Sequence, residues 1–300
     1  MSVSTVLGER RTVEVPAGTI EYRERGSGSP IVFVHGVGVN GDLWRQVAPR
    51  LSDQYRCIVP DLPWGAHSLP LRDDADLSLP GMARIVADFI EALGLDDVTL
   101  VANDTGGAVA QSLVGTRPER IGRLVLTSCD AFEKFPPTPQ RYLLLAARFP
   151  ALMWLVAWAL RFRIIQRLPT AYGWVTSRPI EPAVMRSYTD PIRTNAGVRR
   201  DLRRLLLAVD TRYTFEAAES LRGFDKPALV IWAEADRIFP REHGKRLAKL
   251  LPQGRFEMIP HSRTFIPEDQ PERLASRVRE FIAQPEHAET SGRGERWSNA

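Results

Sequence analysis

The sequence predicts an α/β fold, a doubly wound and mostly parallel sheet with an inserted helical cap. Short apolar runs, typical of strands buried on both faces, alternate with helical patterns between residues 12 and 127. This alternation stops at residues 132–224, where helical pieces are punctuated by prolines, and it resumes at Pro227. We therefore expect a core in two parts, 1–131 and 225–284, a helical cap at 132–224, and a disordered polar tail at 285–300.

The first half of the core has a regular order. An antiparallel pair is expected first, followed by buried strands that alternate with helices. The expected strands are Thr12–Val15, Thr19–Arg23, Ile31–Val34, Tyr55–Pro60, a run beginning at Val98, and Arg123–Thr127, with an amphipathic helix over Pro80–Leu95. After the cap we expect a strand at Pro227–Trp232, a helix at Glu242–Leu251, a strand at Arg255–Ile259 and a helix at Pro271–Ile282.

Composition narrows the class of protein. The 300 residues are 44% hydrophobic and 25% charged, which is ordinary for a soluble globular chain. The net charge of +4 comes from bases dispersed among acids, without a nucleic-acid recognition motif, so we expect no nucleic-acid partner. Cys57 and Cys129 lack metal-ligand spacing, which indicates buried reduced thiols in a cytosolic protein. No metal or cofactor is expected, and the oligomeric state stays open.

Neither a signal peptide nor a membrane span is expected. Met1–Glu14 has no apolar core of signal-peptide length, so a cytoplasmic location is expected. The longest uncharged apolar run, Phe149–Leu160, is too short to cross a bilayer. We interpret this run as a buried lid helix.

The stretch Val98–Gln111 carries the clearest chemical signal. An apolar strand breaks at a polar triplet and restarts as a helix of small residues. Asp104 at the turn has Ala102 two residues before it and Gly106 two after it, which is the spacing of a nucleophile elbow with aspartate in the usual serine position. A carboxylate there needs no base before it attacks carbon. The alternative is that Asp104 only caps the following helix.

Several motifs agree with the elbow. His35-Gly36 follows one strand, Asp61-Leu62-Pro63 follows the next, Asp236 comes after Leu229–Trp232, and Pro271-Glu272 opens the last helix. In this order they resemble the α/β-hydrolase superfamily over roughly residues 10 to 283. The aspartate at the elbow resembles the haloalkane dehalogenase and epoxide hydrolase branch of that superfamily.

The resemblance implies roles for further residues. The backbone amides of Val37 and Thr105 would form the oxyanion hole. Asp236 would be the triad acid that orients a histidine. A loop aspartate that caps the next helix or pairs with an arginine is the alternative for Asp236. Asp130, just past a strand, is a second candidate for the acid.

The expected histidine is missing from its usual place. Relatives carry it after the last strand, and a count without gaps places Thr264 there, with His261 three residues earlier. Threonine is not a general base near neutral pH. Three outcomes stay open: His261 reaches the site through a rearranged loop, another histidine such as His67 acts, or no histidine base exists.

The other three histidines are weaker candidates. His35 is expected to hold the oxyanion loop beside bound substrate, His243 to lie on a solvent-facing helix, and His287 to lie in the tail.

The expected substrate is a hydrophobic small molecule. Thr105 replaces the tryptophan that dehalogenases and epoxide hydrolases usually place after the nucleophile, so no indole N–H is available there to hold a halide. Tyr142, Tyr172 and Tyr188 in the insertion are candidate proton donors for an opened epoxide, and Trp154 is a candidate substrate contact, although both types also occur as packing residues. We predict a hydrolase that prefers an epoxide to a haloalkane. A non-hydrolytic biosynthetic enzyme or a ligand-binding member of the fold is the alternative.

Overall fold

The structure is a computed structural model and describes residues 3–133 and 135–284. Within these residues a single eight-stranded sheet has the order β1-β2-β4-β3-β5-β6-β7-β8. The strands are β1 (Glu9–Val15), β2 (Gly18–Arg25), β3 (Pro30–Val34), β4 (Arg56–Asp61), β5 (Val98–Asp104), β6 (Ile121–Cys129), β7 (Ala228–Ala233) and β8 (Gly254–Ile259). The first two pairings, β1–β2 and β2–β4, are antiparallel, and the remaining ones are parallel.

Helices surround this sheet and fill the interval between β6 and β7. In the two parts of the core they are α1 (Ala48–Leu51), α2 (Leu79–Ala92), α3 (Thr105–Thr116), α10 (Arg241–Leu250), α11 (Ile266–Asp269) and α12 (Pro271–Ala283). Between β6 and β7 they are α4 (Tyr142–Arg148), α5 (Pro150–Ala159), α6 (Arg163–Gln166), α7 (Pro182–Thr194), α8 (Ala196–Leu207) and α9 (Thr211–Ser220). The predicted α/β-hydrolase architecture is confirmed.

The centre of the sheet is its most apolar part. Strand β5 pairs with β3 on one side and β6 on the other, and the side chains from Ile31 to Val34 are fully buried. Continuous burial explains why an uninterrupted apolar run, rather than an alternating one, predicts each central strand. Parallel strands end at one edge of the sheet, so the residues after β3 and β5 are brought together there.

The sheet begins earlier than the apolar pattern indicates. Strand β1 starts at Glu9 instead of Thr12, because its polar end still pairs with β2 in the register Glu9↔Glu24. Most of β1 is exposed, so backbone pairing rather than side-chain burial defines this end of the strand. Apolar periodicity carries no signal for such a segment.

The segment between β6 and β7 differs in two ways from a simple lid. Helix α9 packs against α3 of the core, so its place is beside the sheet. Helix α5 is only partly buried: Trp154 is 50% exposed and Leu155 49%. The expectation of a buried lid helix is therefore corrected, because only one side of α5 packs inward. The division of the chain at residues 132 and 224 stays a prediction, and the tail at 285–300 lies outside the described residues.

In the described ranges, no helix has both the length and the apolar composition needed to cross a membrane.

Candidate active site

Asp104 occupies a sharp strand-to-helix turn. It is the last residue of β5, its backbone has φ 57° and ψ −134°, and α3 begins at the next residue. A non-glycine residue with positive φ is strained, and such strain persists only where the surrounding packing enforces it. The Asp104 side chain makes no capping hydrogen bond to α3. The geometry favours the elbow over the helix cap.

Two glycines make room for this turn. A Cβ atom on Gly36 would lie 2.2 Å from Asp104 Oδ2, and one on Gly106 would lie 2.5 Å from the His35 carbonyl oxygen. Both distances are far below van der Waals contact, so a side chain at either position would displace the loop or the carboxylate. The loop after β3 and the start of α3 can approach each other only because both residues are glycine.

The Asp104 carboxylate faces a cavity of about 150 Å³ between the sheet edge and helices α4, α5, α7 and α8. Most of its lining is apolar. Asp104 is the one carboxylate among the described residues that line it. Its other walls include Val37, Gly38, Thr105, Tyr142, Met153, Val156, Leu160, Tyr172, Tyr188, Leu202, Ile238 and Phe265. A cavity of this size suits an apolar molecule of roughly the size of benzene.

Burial controls the charge of Asp104. Loss of solvation, and then the negative charge of Asp236, raise the pKa of Asp104 to about 7, while the Thr105 backbone amide acts in the opposite direction. A carboxyl group with this pKa is present both as acid and as carboxylate at neutral pH. It therefore has the charge states needed by a nucleophile and by a proton donor or acceptor.

Asp236 lies in the loop after β7 and contacts Thr264. Its Oδ1 accepts hydrogen bonds from the backbone amides of Ile238 (2.8 Å) and Phe239 (2.9 Å) and from the Thr264 hydroxyl (2.9 Å). Its Oδ2 is buried and has no hydrogen-bond partner among the described residues. Burial raises the pKa of Asp236, although these donors and the nearby Ser128 hydroxyl partly offset it.

Thr264 thus contacts Asp236 from the position where the family resemblance implies a histidine. Its backbone is fixed on two sides. The Asn103 side-chain amide donates to the Thr264 carbonyl oxygen (2.8 Å), and the backbone amide of the following residue, Phe265, donates to the Val175 carbonyl oxygen (2.7 Å). The Thr264 side chain is fully buried. Because the loop is hydrogen-bonded on both sides, it cannot easily shift to bring another residue to the position of Thr264.

The structure does not bring His261 into this site. His261 is exposed, has φ 56°, and donates its backbone N–H to Glu234 Oε2 (3.2 Å). It lies on the turn that leaves β8, three residues before Thr264, with its ring outside the cavity lining. The expectation of a displaced histidine base at His261 finds no support in this geometry.

No other described histidine lines the cavity either. His67 is buried and contacts Asp201 Oδ2 of α8 through Nε2 (3.3 Å), which connects cap and core. His243 is buried rather than solvent-facing, because its Nε2 contacts Glu133 Oε1 (3.1 Å) and its ring packs on Phe132. His287 lies outside the described residues.

His35 is buried beneath the loop that follows β3 and holds that loop in place. The Leu62 backbone amide donates to its Nε2 (2.8 Å), so Nδ1 carries the proton and donates to the Gly36 carbonyl oxygen (2.8 Å). Complete burial lowers the pKa of His35 to about 4. His35 does not line the cavity, so the expected substrate contact is absent, while the expected support of the loop is present.

Asp130 lies next to the turn at Asp104, and its backbone amide donates to the Asp104 carbonyl oxygen at 3.4 Å. Its Oδ2 accepts a hydrogen bond from the Thr105 hydroxyl (2.8 Å), and it does not line the cavity. Complete burial and the charge of Asp104 raise the pKa of Asp130 well above its usual range. Asp130 is hydrogen-bonded to Thr105, whereas Asp236 contacts Thr264 at the expected histidine position, which makes Asp236 the better candidate for the acid of a triad.

The three tyrosines line the cavity, but Trp154 does not. Tyr172 donates its hydroxyl to the Gly38 carbonyl oxygen (2.6 Å), and its ring stacks on Tyr188 at 6.2 Å. Tyr142 donates to the Thr170 carbonyl oxygen (3.3 Å). Burial raises the pKa of Tyr172, and the charges of Tyr142 and Asp104 add to this.

Sequence reasoning missed a buried ion pair beside the site. Arg45, in the segment after β3, contacts Glu268 of α11 through two hydrogen bonds, one of them from Nη2 to Oε2 at 2.9 Å. Both side chains are more than nine-tenths buried, and the Tyr188 hydroxyl donates to Glu268 Oε1 at 3.4 Å. The available signal was the acidic pair Glu268-Asp269 before Pro271, but nothing in the sequence indicates its partner 223 residues away.

Comparisons with known proteins support the α/β-hydrolase fold. A family model described as "alpha/beta hydrolase fold" matches residues 29–271. Haloalkane dehalogenase 2 of Mycobacterium bovis is 28% identical over 90% of this chain and 93% of its own length. A cis-3-alkyl-4-alkyloxetan-2-one decarboxylase of Xanthomonas campestris is 27% identical over 89% and 93%. A solved α/β-hydrolase-fold protein from Burkholderia ambifaria is 25% identical, covering 91% of this chain and 97% of that one, with a TM-score of 0.76.

Proposed function

Because the chain belongs to the alpha/beta hydrolase fold family, we propose that it is a hydrolase in which Asp104 attacks a small apolar electrophile. One observation carries this proposal. Asp104 is the carboxylate at the elbow, and it faces an apolar cavity that Val37 and Thr105 also line. A carboxylate in a closed apolar site is poorly solvated and therefore reactive toward carbon.

In the first step an Asp104 oxygen attacks a ring carbon of an epoxide. The C–O bond of the ring breaks, an ester forms between Asp104 and the substrate, and the released alkoxide takes a proton. Tyr172 supplies that proton, because it lines the same cavity and its hydroxyl lies beside Gly38, in the loop after β3 that also contributes Val37 to the lining.

In the second step water attacks the carbonyl carbon of the ester. The amides of Val37 and Thr105 hold the oxygen that becomes negative. Asp236 does not line the cavity, so in this proposal the water enters beside its buried, unpartnered Oδ2 and gives its proton to that oxygen. Collapse breaks the bond between the ester carbon and the substrate oxygen, which takes the proton held by Asp236 and leaves as the diol. The second proton of the water passes from the Asp104 carboxyl group to the Tyr172 phenolate, which restores the Asp104 carboxylate. Thr264 keeps Asp236 in place through Oδ1. Asp236 thus takes over the role of a histidine base.

An epoxide suits the site better than a haloalkane. A leaving halide needs directed N–H donors, and the side chain after the nucleophile is Thr105, whose hydroxyl donates to Asp130. A leaving alkoxide needs a proton, and three phenols line the cavity. Two relatives are named a haloalkane dehalogenase and an oxetanone decarboxylase. Their names support small alkyl electrophiles and strained oxygen rings as the substrate class.

We place the protein in the cytoplasm.

A second candidate function is a non-hydrolytic one. Thr264 stands at the expected position of the histidine base and is hydrogen-bonded to Asp236. A pKa of about 7 lets Asp104 exchange protons at neutral pH. In this case Asp104 moves a proton and forms no ester. A ligand-binding protein without turnover would likewise form no ester.

Intact-protein mass spectrometry separates these candidates. The protein is incubated with 1,2-epoxyhexane and, separately, with 1-bromobutane. We expect an adduct of the mass of the opened epoxide on the wild type, located at Asp104 by peptide mapping, and none on Asp104→Asn. Diol formation by the wild type shows that the ester is hydrolysed. An unmodified wild type that also forms no product with either compound would remove the basis for a covalent role of Asp104.

A further inference from the structure

The outer surface of the cap carries a large set of exposed apolar side chains, which we call the cap patch. Ile164 is 74% exposed, Phe149 57% and Leu145 56%. The patch consists of Leu145, Phe149, Trp154, Leu155, Trp158, Phe162, Ile164 and Leu168. Isolated exposed apolar residues are ordinary, but a concentration of this kind in one short segment marks an interaction surface.

Helix α5 shows that the patch is a formed face. Its exposed residues Ala151, Trp154, Leu155 and Trp158 are spaced i, i+3, i+4 and i+7, which places them on one side of the helix. Met153 and Ala157 on the other side are buried. Trp158 and Phe162 make an edge contact at 5.2 Å, so the face continues beyond the helix end.

The charge of this segment is entirely positive. Residues 135–180 contain six arginines and no lysine, aspartate or glutamate. Since the whole chain has a net charge of +4, the remainder outside this segment has a net charge of −2. All six arginines, at positions 141, 148, 161, 163, 167 and 178, are exposed. The guanidinium of Arg161 lies 4.9 Å from the ring centroids of both Trp158 and Phe162, so charge and apolar surface are interleaved.

The positive charge favours one of two possible partners for the cap patch, a second copy of the chain or a lipid surface. A second copy of the chain docked symmetrically on the same face would bring arginines against arginines, because a two-fold interface pairs a surface with itself. An anionic lipid surface instead matches both components: arginines contact the headgroups while tryptophan, leucine and phenylalanine enter the headgroup and acyl boundary. We propose that the cap patch binds the surface of an anionic phospholipid bilayer.

The other side of the same helix connects this surface to the site. Met153 and Val156 of α5, together with Leu160 just after it, line the cavity above Asp104. One helix therefore separates the proposed lipid surface from the apolar cavity, and an apolar substrate dissolved in the bilayer is concentrated beside the cap.

Vesicle flotation of the full chain tests the proposal. The vesicles are pure phosphatidylcholine or an equimolar mixture with phosphatidylglycerol. We expect the wild type to float with the mixed vesicles at low salt, to remain behind with pure phosphatidylcholine, and to lose binding at high salt. Phe149→Ser/Ile164→Ser and Arg161→Gln/Arg163→Gln should each weaken binding by about tenfold or more.

Matched variants control for lost apolar surface and lost charge. Val6→Ser/Met258→Ser removes side chains that are 43% and 39% exposed elsewhere, and Arg84→Gln/Arg241→Gln removes two distant exposed arginines. Both should float like the wild type, and all variants should unfold at the wild-type temperature. The proposal is overturned if the wild type fails to float, floats equally with both vesicles, or loses binding as strongly in the control variants. A dimer that Phe149→Ser/Ile164→Ser disperses, without flotation of the wild type, would identify a second copy as the occupant.

Discussion

At the scale of the residue, burial of the Asp104 carboxyl group opposes its ionisation. Because the folded pKa of about 7 lies above the ordinary value of 3.8, the folded state disfavours ionisation and loses stability as the pH rises from about 4 to about 7. We predict that Asp104→Asn raises the free energy of unfolding at pH 8 by up to about 4 kcal/mol and that this gain disappears at pH 4.

Urea unfolding of both proteins at the two pH values measures this difference. If the two proteins differ in free energy of unfolding by the same amount at both pH values, folding does not disfavour ionisation of Asp104. A variant less stable than the wild type at pH 8 would show the same.

Thr264 supplies a second test at the same scale. Thr264→Val keeps the volume but removes the hydroxyl that donates to Asp236 Oδ1 at 2.9 Å. Loss of one hydrogen bond to a charged acceptor should raise the pKa of Asp236, shift the pH profile of ester hydrolysis, and slow hydrolysis at neutral pH about tenfold.

Ester formation, measured by adduct mass in a single turnover, should proceed at the wild-type rate, and Thr264→Ser should restore hydrolysis. If Thr264→Val changes ester formation as much as hydrolysis, Thr264 has only a packing role.

At the scale of the element, the elbow depends on the glycine that faces it. We predict that Gly36→Ala lowers the rate of ester formation about a hundredfold, because the added Cβ would lie 2.2 Å from Asp104 Oδ2 and the carboxylate or the oxyanion loop must move. Rapid-mixing mass spectrometry gives this rate. Gly223→Ala is the matched control, since a Cβ there meets nothing within 4 Å. Equal rates in the two variants would contradict the close approach of Gly36 and Asp104.

Individual elements differ in how far the sequence predicts them. Central strands such as β3 and β5 are predictable because burial on both faces leaves an uninterrupted apolar run. Strand β1 begins three residues early because backbone pairing extends it without apolar residues. For α5, apolar composition predicts the helix but not which face is covered, so the exposure of Trp154 could not be foreseen.

At the scale of the whole molecule, the segment 264–270 connects the site, the core and the cap. Glu268 pairs with Arg45 of the core, and Asp269 accepts hydrogen bonds from the Ser177 amide (2.9 Å) and the Arg263 amide (2.8 Å). These contacts keep Thr264 beside Asp236. Two of them, between Glu268 and Arg45 and between Asp269 and Ser177, join residues that are 223 and 92 positions apart in the chain, which periodicity and local spacing cannot predict.

We predict that Glu268→Gln lowers the free energy of unfolding by about 3 kcal/mol, because it leaves the buried Arg45 without its countercharge. Denaturant unfolding measures the loss. Glu272→Gln serves as the control, since its pair with Arg50 is solvent-exposed and should contribute less than about 1 kcal/mol. Comparable losses in the two variants would mean that the Arg45–Glu268 pair adds no more than a surface contact.

The same holds for the site: residues placed by local motifs are predictable from the sequence, and those placed by long-range contacts are not. Asp104, Val37, Thr105 and Asp236 occupy fixed positions relative to strand ends, so motifs and order predict where they lie. The absence of a histidine base at Thr264 is visible in the sequence. Which group takes its place depends on the loop path, and the structure leaves His261 on the surface.

Single turnover in H₂¹⁸O tests the covalent role of Asp104 most directly. The enzyme, in excess over 1,2-epoxyhexane, completes one cycle, and the peptide that contains Asp104 is weighed. Because water attacks the carbonyl carbon of the ester, we predict that one ¹⁸O atom enters the Asp104 carboxylate and that the first diol released carries none. An unlabelled Asp104 together with ¹⁸O in the diol would mean that water attacks the substrate directly, and the covalent account would be wrong.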